Sequence, residues 1–153
     1  METIDRRLET LGITLPEAPD PLANYVSVQK TDHLLFLSGA GPILKGKALY
    51  TGKLGREVTL EDGREAARIA GINLIASLKR YLGDLEQVDQ IVKLLGFVAS
   101  ADTFYQQPAV IDGCSNLFVD VFGERGRHAR SAVAVPVLPL NIPVEIEVIV
   151  RIK

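Results

Sequence analysis

The clearest pattern in the chain is an alternation of apolar and polar residues over its last eleven positions, 142–152. The apolar positions recur at every second residue: Ile142, Val144, Ile146, Val148, Val150 and Ile152. Glu145, Glu147 and Arg151 stand between them. Because successive side chains of a strand point to opposite faces, this period of two predicts a strand with one buried face.

Several other apolar segments have the length and composition of strands. They span residues 25–30, 33–38, 91–100 and 128–135, and residues 48–50 are a candidate for a short extra strand. Thr31 and Asp32 lie between the first two segments and predict a hairpin turn. Residues 91–100 alternate only weakly, which predicts burial on both faces of that strand.

Three segments follow the period of a helix instead. Residues 1–12 predict a short amphipathic helix that Gly12 ends. A first long helix follows Thr59, an N-cap with Asp62 three residues on, and stops at Gly83. Its expected apolar face carries Ala67, Ala70, Leu74, Leu78 and Tyr81.

A second long helix begins near Pro108, which is tolerated in a first turn, and stops at Gly123. Its apolar face carries Val110, Ile111, Cys114, Leu117, Val121 and Phe122. The order of elements predicts an α+β fold, in which one sheet carries the two long helices on one face. We expect a single domain over residues 1–153, with residues 1–15 as an N-terminal helical extension.

The apolar content bears on the face of the sheet that the helices leave open. The chain has 153 residues, of which 47% are hydrophobic, and its mean hydropathy is +0.18. These values are high for a monomer of this size, so some apolar surface is expected to be covered by other copies of the chain.

Charge and cysteine content exclude several classes of function. The net charge is −2 with both signs interspersed, which does not fit a nucleic-acid footprint. The single cysteine, Cys114, cannot form an internal disulfide, and no Cys/His cluster has the spacing of metal ligands. No apolar run approaches membrane-spanning length. We therefore expect a cytoplasmic protein that uses no metal and no cofactor.

Three catalytic motifs are considered and disfavoured. Residues 41–48 nearly match the phosphate-binding G-x-x-x-x-G-K-[ST] pattern, but Ala48 lacks the required hydroxyl and further glycines follow, so an ordinary glycine-rich turn is expected. A serine nucleophile would need His33 or His128, and no G-x-S-x-G elbow is present to expose it. Cys114 lies on an apolar helix face, which favours a structural thiol.

Arg130 is the strongest candidate for ligand binding. It is flanked by small residues, and Ala132 and Ala134 share its side of the strand, which leaves room beside the guanidinium. A planar guanidinium can bind a carboxylate through two parallel hydrogen bonds. On the next strand Glu145 is expected to lie within reach of the same pocket. The alternative is a salt-bridged or solvated strand face.

These residues resemble the RidA family, also called YjgF or L-PSP endoribonuclease-like, as a diverged subgroup. The resemblance covers residues 24–153 and leaves out the N-terminal helix. It rests on Tyr25 after a loop, LFLSGAGP at 35–42, Asn73 and YLGD at 81–84, ARSAV at 129–133, and LP at 138–139 followed by VEIEV at 144–148.

The resemblance implies a chorismate-mutase-like fold and a homotrimer, whose sheets form a central β-barrel with ligand clefts between subunits. It also implies that Arg130 binds the substrate carboxylate and that Glu145 activates or orients water. Tyr25, Ser38 and Gly39 are implied to line the cleft. The implied reaction is the hydrolysis of enamines and imines such as 2-aminoacrylate to 2-keto acids and ammonia, without a metal or cofactor.

The chain departs from the family pattern at three positions near this site. Ala132 replaces a frequent cysteine, His128 replaces a frequent proline, and either Ser115 or Asn116 is the counterpart of a pocket asparagine. Two functions follow: an enamine/imine deaminase, or a non-catalytic protein that binds a small carboxylate such as a 2-keto acid. Ribonuclease activity is disfavoured because no catalytic histidine pair or basic groove is evident.

Overall fold

The computed structural model describes all 153 residues and contains one five-stranded mixed sheet. The strands of the chain are β1 Val28–Thr31, β2 Leu34–Ala40, β3 Ile43–Leu44, β4 Lys47–Ala48, β5 Val88–Ala99, β6 Ala129–Val135 and β7 Val144–Ile152. The sheet has the order β1-β2-β7-β5-β6, and β3 and β4 form a separate hairpin. Only the β5–β6 pair is parallel within the sheet.

The helices are α1 Ile4–Thr10, α2 Leu60–Leu82 and α3 Gln107–Phe122. Both long helices lie on one face of the sheet, as predicted, and pack against each other. Thr59 caps α2 by accepting a hydrogen bond from the backbone N–H of Asp62 at 3.2 Å. Gly83 and Gly123 follow the two helices with φ of 75° and 63°, a conformation that ends a helix at little cost only for glycine.

The core lies between the sheet and the two long helices. The alternating strand β7 contributes Val144, Ile146, Val148 and Val150, all buried, as its pattern predicts. The predicted apolar face of α3 is also buried in full. Strand β5 buries Ile91, Leu94 and Val98 under the helices, whereas Leu95 and Phe97 on the open face are half-buried, so the predicted burial on both faces is met on one face only.

Some predicted boundaries and contacts are wrong. The extra strand expected at residues 48–50 is instead β4, which pairs with β3 through a turn in which Lys45 and Gly46 both have positive φ. The β1–β2 turn lies at Asp32 and His33 rather than at Thr31 and Asp32. Tyr81 was expected on the buried face of α2, but it is 47% exposed in the last turn of the helix.

The N-terminal helix packs on the C-terminal ends of the two long helices. It buries Ile4 and Leu8 in the main core, and Lys79 of α2 forms an ion pair with Asp5 at 2.8 Å. Arg7 donates to the backbone carbonyl of Val121 in α3. This position gives α1 a structural role in closing the end of the core. No helix in the chain is both long and apolar enough to cross a membrane.

Candidate functional site

Arg130 lies on the edge strand β6 with its side chain on the helix-covered face of the sheet. Its neighbour across the parallel pair is Leu94, which is buried under the helices. The side chain is 24% exposed, and it reaches two residues of α3. Its Nη1 donates to Asp112 Oδ1 at 2.7 Å and to Ser115 Oγ at 3.2 Å.

The hydrogen bonds that Arg130 makes within the chain both come from Nη1. Its Nε and Nη2 donors therefore remain for a ligand, and two such donors match the geometry of a carboxylate. Ala132, two residues on, lies on the same face with its methyl group against the core. Asn116 is exposed, so of the two candidates for the asparagine counterpart only Ser115 contacts Arg130.

Sequence reasoning missed Asp112 as the ion-pair partner of Arg130. Asp112 and Ser115 are three residues apart on α3 and so share one face of the helix. That spacing was visible in the sequence, but the contact with β6 depends on how α3 packs over the sheet. The guanidinium is thus oriented by its own chain before any ligand arrives.

His128 completes this hydrogen-bonded cluster. Its Nε2 lies 2.9 Å from Ser115 Oγ, and its Nδ1 lies 2.6 Å from the backbone carbonyl oxygen of Gly126. Its ring packs edge-on against Phe118 with 5.9 Å between ring centroids. Burial lowers the pKa of His128, and the nearby Arg130 lowers it further, against an opposing contribution from the Gly126 hydrogen bond. The ring is therefore neutral at physiological pH.

Glu145 lies on the opposite face of the sheet from Arg130. Leu94 of β5 pairs with Arg130 of β6 on one side and with Val148 of β7 on the other, so these three side chains share a face of the sheet. Glu145 is three positions from Val148 along β7. An odd separation along a strand places two side chains on opposite faces. Their strands, β6 and β7, are also two positions apart in the sheet, which separates the strands by roughly 10 Å. The expectation that both side chains reach one pocket within a single chain is wrong.

The surroundings of Glu145 contrast with those of Arg130. The side chain is half-buried, and burial raises the pKa of its carboxyl group, with a further contribution from the like charge of Glu147. Gly39 of β2 lies directly against it, and a Cβ at that position would be 3.0 Å from Glu145 Cδ. Gly39 is therefore needed for close approach between β2 and this carboxylate.

Tyr25 and Ser38 lie at the same end of the sheet as Gly39. Ser38 Oγ donates to the backbone carbonyl of Val26 at 2.6 Å, which fixes the segment before β1 against β2. Tyr25 is 53% exposed beside that contact. Ser38 and Glu147 line a depression of about 590 Å³ on the open face, together with Val26, Phe36 and Lys93.

The predicted site residues therefore form two separate groups. The helix-side group consists of Arg130, Ala132 and Ser115, with Asp112 and His128 bonded to it. The open-face group consists of Tyr25, Ser38, Gly39 and Glu145. One chain brings the members of each group together but does not bring the two groups together.

The remaining candidates from the sequence, Cys114 and residues 41–48, have surroundings that indicate a structural role. Cys114 is fully buried, and burial strongly raises the pKa of its thiol. Residues 41–48 are tied down by Asn73, whose side-chain amide donates to the carbonyls of Gly41 and Ile43 at 2.9 and 2.8 Å. They lead into the β3–β4 hairpin rather than into the helix that a phosphate loop requires.

Comparison with known proteins identifies the family to which this fold belongs. The sequence model of the family described as "YjgF/chorismate_mutase-like, putative endoribonuclease" matches residues 5–150. Protein TCP17 of Trypanosoma cruzi is 40% identical over 147 residues, which cover 95% of this chain and 92% of TCP17. The chain therefore belongs to the YjgF/chorismate-mutase-like family. The matched residues include most of α1, which the resemblance inferred from sequence left out.

Solved structures show the same relationship. Protein Atu1372 of Agrobacterium tumefaciens, whose function is unknown, is 45% identical with a TM-score of 0.92, and 98% of this chain and 92% of Atu1372 are covered. An endoribonuclease-labelled protein of Shewanella oneidensis is 36% identical with a TM-score of 0.95, covering 99% and 100% of the two chains. Escherichia coli TdcF, whose structure contains bound serine, shares the fold at 22% identity and a TM-score of 0.64, covering 90% and 94%.

Proposed function

We propose that this chain forms a homotrimer whose sheets enclose a central barrel, and that each cleft between subunits hydrolyses reactive 2-imino acids. In each cleft the helix-side group of one subunit faces the open-face group of its neighbour. The substrates are enamines and imines of the 2-aminoacrylate type, and the products are 2-keto acids and ammonia.

The division of the site residues into two groups carries this proposal. Arg130 lies beside one edge of the sheet, whereas Ser38 and Gly39 lie on β2, three strands away, and Glu145 lies on the other face. A second copy of the chain could supply the missing half. Such a contact joins two different surfaces of the chain. When a rotation relates three copies in a closed ring, the helix-side group of each copy meets the open-face group of the next copy.

Exposed apolar side chains at both ends of the sheet support the assembly. Tyr25, Val26 and Phe36 are between 42% and 54% exposed near β1 and β2. At the other end Tyr105, Val133, Val137 and Leu140 are between 44% and 80% exposed. Apolar patches of this kind are typical of surfaces that another protein chain covers.

Arg130 supports a ligand that carries a carboxylate. Its Nε and Nη2 can donate two parallel hydrogen bonds, while Asp112 and Ser115 hold Nη1 in place. Serine, the molecule bound in TdcF, carries such a carboxylate. The net charge of −2 does not favour a nucleic-acid substrate. The buried, unpaired Cys114 fits a reducing compartment such as the cytoplasm.

The reaction needs mainly that the substrate is oriented and that protons are transferred to and from it. The enamine takes a proton at C3 to become the iminium form, and water then adds to C2. The resulting carbinolamine loses ammonia as the C2–OH becomes the carbonyl. Holding the carboxylate at Arg130 fixes the position of C2 relative to the attacking water, and Glu145 exchanges the protons. Burial raises the pKa of Glu145, which brings it closer to the working pH than the pKa of an exposed glutamate and so favours proton exchange.

A coupled assay tests this function. A pyridoxal-phosphate dehydratase generates 2-aminoacrylate from serine, and the rate of pyruvate release is measured with wild type and with Arg130→Ala. We expect wild type to accelerate release and the variant to lose at least about 100-fold of that acceleration. Arg127→Ala is the matched control, because Arg127 is exposed and pairs only with Glu124 three residues away.

Binding without turnover is the second candidate. It needs only the Arg130 cluster, which is complete within one chain, whereas Glu145 lies on the opposite face of the sheet. If no variant or wild type accelerates pyruvate release, but 2-keto acids bind in an Arg130-dependent way, the protein is a small-carboxylate binding protein.

A further inference from the structure

The open face of the sheet carries one cation and one anion that have no ion-pair partner within the chain. Lys93 of β5 aligns with Ile149 of β7, and Leu95 aligns with Glu147, so all four side chains share this face. None of the ion pairs in the chain includes Lys93 or Glu147. The Lys93 amine donates instead to Ser131 Oγ at 3.2 Å, on the side of β5 away from β7.

Two further charged residues of β7 share the open face, and both have other partners. Arg151 Nε pairs with Asp89 Oδ2 at 2.6 Å within the chain. Glu145 is assigned to the cleft in the proposed function. Lys93 and Glu147 therefore remain as one unpaired charge of each sign. A face with this pattern is complementary in charge to a second copy of itself.

The surroundings of the two charges are apolar. Both residues line the depression of about 590 Å³, whose other walls include Val26, Phe36 and Leu95. Val26 and Phe36 are 54% and 42% exposed, so water reaches the depression in a single chain. A second copy that covered this face would remove that water, and a charge that loses water without gaining a partner is strongly unfavourable. Between apolar walls two opposite charges also attract each other more strongly.

We propose that Lys93 of one copy pairs with Glu147 of the next copy where the open faces meet, and that these ion pairs select which chains assemble. The proposal rests on the proposed function in one respect, the closed assembly, and it requires no reaction. The partner is a second copy of this chain. A related chain that carries like charges at these two positions would be rejected, because like charges would face each other at the contact.

Charge reversal at either position tests the ion pairs. Lys93→Glu leaves two acidic side chains on the face, and Glu147→Lys leaves two basic ones. Each variant alone should need at least about 100-fold more protein than wild type to form trimers, since like charges meet at every contact. Analytical ultracentrifugation measures the assembly, and circular dichroism measures whether each chain folds. Lys47→Glu and Glu9→Lys are matched controls that should assemble like wild type, because both residues are exposed and lie outside the five-stranded sheet.

An equal mixture of the two variants distinguishes pairing between copies from pairing within one chain. In a mixed ring, two of the three contacts place opposite charges together, so mixed trimers should form at concentrations at which neither variant assembles alone. Pairing within one chain predicts no gain, because each variant keeps its own repulsion. Co-purification of untagged Glu147→Lys with affinity-tagged Lys93→Glu measures the mixed assembly.

The outcomes separate this inference from the proposed reaction. Single variants that assemble like wild type, or a mixture that gains nothing, would overturn the inference and leave imine hydrolysis untouched. A wild-type chain that stays monomeric would overturn both the inference and the closed assembly. Assembly that follows the charges, together with a wild type that does not accelerate pyruvate release, would support the inference and refute only the reaction.

Discussion

The helix-side group and the open-face group differ in how many hydrogen-bond and ion-pair partners they find within their own chain. Around Arg130, hydrogen bonds to Asp112 and Ser115 fix the guanidinium, and His128 fixes the serine in turn. On the open face, Glu145 has no such partner, and its raised pKa results from burial and from the repulsion of Glu147. The first group is preorganised, whereas the second is incomplete in a single chain.

This difference indicates what each group contributes. Fixed donors can orient a ligand without reorganisation when it binds. A carboxyl group that is partly desolvated and weakly satisfied can change its protonation state at little cost, which suits proton exchange. We therefore assign orientation to the helix-side group and proton transfer to the open-face group.

The largest effect that separates the two groups is expected from Gly39→Ala. The new methyl group would lie 3.0 Å from Glu145 Cδ and Cγ, so the glutamate side chain must move while β2 and the Arg130 cluster stay in place. Displacing the proton-transfer group should lower turnover about 10- to 100-fold. Pyruvate release measures the loss, and near-normal turnover would show that the position of Glu145 does not matter.

On the helix side, Asp112→Asn is expected to strengthen ligand binding by a moderate amount. The change removes a negative charge 2.7 Å from Arg130 Nη1 and therefore a competitor for an incoming carboxylate. Because Asp112 is partly exposed, the gain is modest, and pyruvate should bind about threefold more tightly. A titration with pyruvate gives the answer, and unchanged or weaker binding would show that the charge of Asp112 does not oppose an incoming carboxylate.

The smallest expected effect is on stability, from Glu145→Gln. Burial raises the pKa of Glu145 in the folded state, so the ionised carboxylate weakens the fold at neutral pH, and this cost disappears as pH falls below the ordinary value of 4.5. The variant should melt slightly higher than wild type at pH 7, and the difference should vanish towards pH 4. Thermal melts across this range, with the exposed change Glu9→Gln as control, would refute the account if the variant melted lower at pH 7.

Local sequence signals predicted most of the fold. The alternation along β7, the cap at Thr59 and the stop at Gly123 each depend on residues close in sequence, and each is confirmed. The short strand β4 was misplaced and β3 was not predicted, because two-residue strands have too few positions for a period to show.

The candidate site was less predictable because it depends on register and packing. The pattern placed Arg130 and Glu145 on strands expected to be neighbours, but β5 lies between β6 and β7, and the register puts the two side chains on opposite faces. The pairing of His128 with Ser115 likewise depends on how α3 lies over β6. No spacing along the chain encodes either arrangement.

Subunit mixing tests the central claim most directly, that each cleft combines Arg130 of one chain with Glu145 of another. Arg130→Ala and Glu145→Gln should each be inactive in pyruvate release. In trimers reassembled from equal amounts of both variants, every mixed ring contains one cleft with both native residues, so about one quarter of wild-type activity should return. If the mixture stays as inactive as the separate variants while mixed trimers are shown to form, the two groups do not share a cleft and the account is wrong.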